Sequence, residues 1–90
     1  MTSAAYNEAL KTAGKFIIMV DNSVGQCEEI QKVFDRAEDA HVYARNNVKH
    51  TRANLIDIYT TTGKPCRCID GITVRDDIKP YRRHYIGPNW

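Results

Sequence analysis

The chain has 90 residues, 42% of them apolar and 27% charged, with five Gly and three Pro. That composition is ordinary for a globular protein below the size at which chains divide, and it excludes a low-complexity segment or a repeat array. The longest apolar stretch, Phe16 to Val20, is far too short to span a bilayer, which excludes a membrane helix.

The net charge of +2 hides an uneven distribution. Residues 1–40 carry four Lys/Arg against seven Asp/Glu, a net −3, and residues 41–90 carry nine against four, a net +5. The start, Met1 to Glu8, shows neither a basic leader nor an apolar run, so a cytosolic location is expected. In that setting the odd set Cys27, Cys66 and Cys68 reads as buried free thiols rather than a disulfide framework.

In chain order, Ser3 can cap a first helix whose Ala5, Tyr6, Ala9, Leu10 and Ala13 recur at helical spacing, with Gly14 placed to end it. Lys15 to Val20 is apolar on both alternating sets, the pattern of a central strand covered on two sides. Residues 23–48 admit two readings. In the preferred one, Gln26 to Phe34 is a charged edge strand paired to Phe16–Val20, and Asp35 caps a helix that buries Ala37, Ala40, Tyr43 and Ala44. In the other, one helix runs from Ser23 through Ile30, Phe34, His41 and Val48 at heptad spacing and favours a two-helix seam.

Asn54 to Thr60 reads as a strand followed by a loop containing Gly63. Asp70-Gly71 between Arg67-Cys68-Ile69 and Ile72-Thr73-Val74 signals a hairpin, because both central residues of that turn need positive φ. From Asp76 onward no apolar period is visible, and an extended tail is expected. The fold expected is therefore α+β: a single domain over residues 1–75, in the order αββαβββ with helices packed on one face of an antiparallel sheet, then a basic, aromatic C-terminal tail over residues 76–90.

No residue pattern identifies a catalytic group, and no catalytic residue, metal ligand or cofactor is assigned. Cys66-x-Cys68 within a strand suits zinc poorly, since structural zinc sites take paired cysteines from turns. His41, His50 and His84 have no spacing that brings one to a cysteine, and His50 and His84 read as solvent-exposed. The scattered glycines form no phosphate loop. The acidic pairs Glu28-Glu29, Glu38-Asp39 and Asp76-Asp77 read as solvated surface.

The candidate binding residues are Arg67, Arg75, Lys79, Tyr81, Arg82, Arg83, Tyr85 and Trp90. Tyr, Trp and Arg dominate protein interfaces, and the thin core of so short a chain gains stability from a protein partner or a second copy. A non-enzymatic regulatory or inhibitory binding module is the function expected. In a general way the alanine-rich helix and the Gly63 hairpin resemble small accessory proteins, including those of phages. The alternative is single-stranded nucleic acid, whose phosphates and unpaired bases suit interleaved cations and rings.

Overall fold

The computed structural model describes residues 4–22, 27–47 and 53–85. Its elements are α1 (Ala4–Ala9), β1 (Phe16–Asn22), β2 (Cys27–Phe34), α2 (Ala37–Asn47), β3 (Ala53–Thr61), β4 (Arg67–Ile69), β5 (Ile72–Val74) and β6 (Ile78–Tyr85). Strand followed by helix, not one long helix, is thus the arrangement of residues 27–47. The capping role expected of Ser3 lies outside the described residues, as do Gln26, His50 and Trp90.

Four strands form one antiparallel sheet in the order β2-β1-β3-β6, and β4 with β5 forms a separate two-stranded ribbon. The sheet has two covered faces. On one, Ile18, Val20, Ile56 and Ile58 pack with Ala40 and Ala44 of α2, flanked by Phe16, Ile30, Phe34 and Tyr43. On the other, Ile17 packs with Tyr6 and Leu10 of the α1 region and with Ile78, flanked by Met19, Val33 and Tyr59. Period-two alternation explains this division, because neighbouring strand residues point to opposite faces.

Two expectations are corrected here. The helices lie on opposite faces of the sheet, not on one, because Ile17 and Ile18 are both fully buried and each needs its own cover. The segment expected to be an extended tail contains β6, which pairs with β3 from Thr61↔Ile78 to Leu55↔Tyr85. Its lack of an apolar period follows from its position: an edge strand with Lys79, Pro80, Arg82 and Arg83 exposed has little to bury. The sheet order therefore adds a strand, giving αββαββββ.

The hairpin signal has its physical basis at the turn, where Asp70 takes φ 52° and Gly71 φ 78°, the left-handed pair a tight two-residue turn requires. The α2 helix begins one residue later than an Asp35 cap implies. Asp35 instead turns its carboxylate to Lys15, which donates from Nζ to Oδ1 at 2.5 Å and holds the acid below the usual carboxylate range. Ala37, Ala40 and Ala44 are buried and Tyr43 half-buried, so small side chains let α2 approach the sheet closely.

Ile18→Ala removes buried methyl groups from the centre of the α2 face and is expected to lower stability by about 2–5 kcal/mol in urea unfolding. Against a total of roughly 5–15 kcal/mol, that is a large fraction.

Candidate functional site

Side-chain ion pairs, rather than proximity in sequence, decide which candidate residues are available to a partner. Arg75 lies between β5 and β6, and its guanidinium reaches the far edge strand. Its Nη1 donates to Glu29 Oε1 at 2.7 Å, while Nε and Nη2 donate to Asp77 Oδ1 and Oδ2 at 2.8 and 3.0 Å. The Tyr6 hydroxyl donates to the other Glu29 oxygen at 2.6 Å. Burial of Tyr6, reinforced by that bond, raises its pKa well above that of an ordinary phenol. Burial alone would raise the Asp77 pKa, but the Arg75 hydrogen bonds outweigh it and hold the acid below its ordinary value.

Arg83 on β6 forms a two-pronged pair with Asp57 on β3, Nε to Oδ1 at 2.7 Å and Nη2 to Oδ2 at 3.1 Å. Asp57 is buried, so this bond answers a carboxylate that would otherwise be costly inside the protein. Arg67 at the start of β4 pairs with Asp76. Three of the candidate cations, Arg67, Arg75 and Arg83, are therefore held by carboxylates of the same chain. Glu29 and Asp77 are correspondingly not solvated surface: Glu29 is half-buried, Asp77 is buried, and both belong to the Arg75 network.

The remaining candidates divide between β6 and its surroundings. Lys79, Tyr81 and Arg82 are exposed, and their register with Thr60 and Ile58 places Lys79 and Arg82 on the α2 face of the sheet. Tyr81 occupies the register shift beside Tyr59, its ring edge-on to Phe16 at 5.0 Å, and the Arg82 guanidinium lies 5.6 Å from its centre. Tyr85 ends β6 opposite Leu55, and Trp90 lies outside the described residues. Tyr81, Arg82 and Arg83 line one cleft of about 210 Å³ along β3 and β6, whereas Arg67 and Arg75 lie at the base of the ribbon and outside it.

The structure adds residues that the sequence did not single out. Ile69 and Ile72 pair directly across the ribbon next to its turn and are 46% and 67% exposed. The ribbon packs against no other helix or strand among the described residues. Its base is fixed by Arg67 on Asp76 and by Arg75 on Asp77 and Glu29, so an anchored stem carries an exposed apolar tip. The Asp-Gly signal located the hairpin but gave no sign that it would stand apart from the sheet.

The cysteines are free but exposed, not buried as expected. Burial and a hydrogen bond with Asp21 push the Cys27 thiol up to about 11, and burial with an Asp77 contact raises Cys66. Both thiols are thereby held in their protonated, poorly nucleophilic form. The described imidazoles lie elsewhere. His84 on β6 is half-buried, not solvent-exposed, and stacks on His41 of α2 at 4.0 Å between ring centres. This pair is on the α2 face, whereas Cys27, in register with Asp21, lies on the opposite face.

A cleft of about 450 Å³ between the α1 region and the loop before β4 is lined by Leu10, Pro65, Cys66 and Asp77. Asp77 is already committed to Arg75 there, and no group of three potential metal ligands occurs among the described residues. No described helix is long and apolar enough to cross a membrane.

Two outcomes test these assignments. Arg75→Ala removes the cation shared by Glu29 and Asp77 and is expected to cost about 1–3 kcal/mol in urea unfolding, whereas Arg82→Ala should stay within about 0.5 kcal/mol of the parent. Burial, then the neighbouring His41, then Arg82, lowers the His84 pKa below the ordinary imidazole value. The unfolded chain therefore takes up a proton at His84 before the folded one does. The stability linked to neutral His84 is complete above about pH 6.5 and is lost progressively as pH falls toward the folded value. Melting temperature should fall over that window, and the slope should shrink in His84→Phe.

Family models, curated proteins and solved structures provide no match to this chain.

Proposed function

We propose that this protein is a non-enzymatic docking module of the regulatory or inhibitory kind, which binds another protein through the tip of the β4–β5 ribbon. The observation that carries the reading is the exposed Ile69–Ile72 pair on a ribbon that packs against no other helix or strand among the described residues. Apolar side chains at the end of a projecting hairpin gain free energy only when another surface removes them from water. The ion pairs at the ribbon's base support the reading further. They orient the tip before any partner arrives and so reduce the entropy lost on binding.

The raised Cys27 and Cys66 thiols, and the separation of Cys27 from the histidine pair by the sheet, give little support to nucleophilic catalysis. A second reading, nucleic-acid binding, is favoured by exposed Lys79, Tyr81 and Arg82 on β6, where a ring lies between two cations. It is weakened because Arg67, Arg75 and Arg83 already neutralise carboxylates. Phosphate contact by those three would require breaking internal pairs.

The test places a photo-crosslinking residue at Thr73 in the full-length protein within the cells that make it. A discrete protein adduct is expected, reduced by about tenfold or more in I69S/I72S, with stability within about 0.5 kcal/mol of the parent. An adduct insensitive to I69S/I72S, or none at all, would overturn the ribbon as the docking element. A nucleic-acid adduct that disappears in K79A/R82A would transfer the assignment to β6.

A further inference from the structure

The cleft between the α1 region and the loop before β4 measures about 450 Å³, within the size range of small-molecule sites. Hydrogen bonds fix both of its walls. On the α1 side, the Thr61 hydroxyl at the end of β3 donates to the Thr12 carbonyl at 2.5 Å, and the Gly14 amide donates to the Thr61 carbonyl at 3.0 Å. On the loop side, the Thr62 amide donates to the Asp77 carbonyl at 2.9 Å and its hydroxyl to the Asp76 carbonyl at 2.5 Å. Thr62 Oγ1 in turn accepts from the Lys64 amide at 3.1 Å. Gly63 lets the two walls meet, since it takes φ 77° and a Cβ added there would lie 3.3 Å from the Ala13 Cβ. The cleft is thus held in shape by the fold, and little ordering entropy is lost when a ligand enters it.

Its lining is amphipathic. Leu10 and Pro65 supply apolar surface, while Asn7, Lys11, Lys64 and Cys66 supply polar groups. The charges differ in what already answers them. Lys11 Nζ lies 3.2 Å from Glu8 Oε2, and both Asp77 oxygens accept from Arg75. Cys66 hydrogen bonds to Asp77 and stays protonated, so it adds no charge. Lys64 is exposed and has no ion pair among the described residues, which leaves its ammonium as the uncompensated charge of the lining.

We infer that this cleft binds a small amphipathic monocarboxylate, its apolar body against Leu10 and Pro65 and its carboxylate at the Lys64 ammonium. One uncompensated ammonium matches one negative charge, whereas a phosphate monoester brings additional negative charge close to Asp77. A cationic ligand meets Lys11 and Lys64 and finds Asp77 already held by Arg75. The Asn7 side chain offers an amide donor to the second carboxylate oxygen. The site is separate from Ile69 and Ile72, so its occupancy is independent of what the ribbon tip binds.

Cys66 is the reporter for a test with octanoate, because it lines the cleft and Cys27 and Cys68 do not, while all three thiols are exposed. The full-length protein is alkylated with iodoacetamide at mildly alkaline pH, with and without octanoate, and the rate at each cysteine is read by peptide mass spectrometry. At saturating octanoate, alkylation of Cys66 is expected to slow by about fivefold or more, with Cys27 and Cys68 staying within about twofold of their own rates. Octylamine, of equal length and opposite charge, should leave Cys66 unprotected, which reads the charge requirement in the parent itself. K64E should raise the octanoate concentration for half-protection by about tenfold. The Lys64 amide bond to Thr62 does not involve the side chain, and circular dichroism reports that the variant remains folded. No slowing at Cys66 overturns the inference. So does equal slowing at all three thiols, equal protection by octylamine, or a half-protection point unchanged in K64E.

Discussion

Two adjacent side chains, Ile17 and Ile18, dictate the rest of the molecule. Both are fully buried, and because they point to opposite faces of β1 the sheet must be covered twice. A chain of 90 residues has limited material for two layers. One face receives the eleven-residue helix α2, whose buried alanines let it lie close. The other receives the six-residue α1 and the turn that follows it, too little to cover the face with apolar groups alone. The Tyr6, Glu29, Arg75 and Asp77 network completes that side with hydrogen-bonded charge. A polar cover is tolerable there because every charge in it has a partner.

This arrangement gives physical meaning to the charge asymmetry between the halves of the chain. Glu29 from the acidic half is neutralised by Arg75 from the basic half, and Lys15 similarly meets Asp35 across the β1–β2 excursion. Within the basic half, Arg67 and Arg83 meet Asp76 and Asp57. A basic segment is therefore not equivalent to a basic surface. The cations that remain outside these pairs on β6, Lys79 and Arg82, lie on an edge strand, where a proline and charge also prevent uncontrolled sheet growth.

Local pattern was a good guide wherever local chemistry decides the outcome. The double apolar set of Phe16–Val20 announced a strand buried on both faces, and Asp70-Gly71 announced its turn, because each is a constraint on the residues themselves. The placement of the helices was not legible in the same way. Both helical patterns show one apolar side, and nothing in either states which face of a sheet it will meet. β6 escaped notice because an exposed edge with Pro80 and three cations lacks alternation, and its strand character comes from pairing with β3. The candidate cations were visible by type, but Glu29 lies 46 residues from Arg75 and Asp57 26 from Arg83, so their engagement is a product of the fold.

The part of the chain least required by the fold also carries the most exposed isoleucines among the described residues, Ile69 and Ile72. The β4–β5 ribbon packs against no other helix or strand among the described residues, and an isolated two-stranded hairpin is marginal in water. Here the hairpin is held at its base by Arg67 and Arg75, leaving Ile69 and Ile72 outside the core clusters. Those two side chains could change with little effect on the sheet, whereas Arg75 could not, since it joins the ribbon's base to Glu29 on β2 and to Asp77 just before β6. Fixing the stem in the fold while leaving the tip independent separates what maintains the structure from what another surface would recognise.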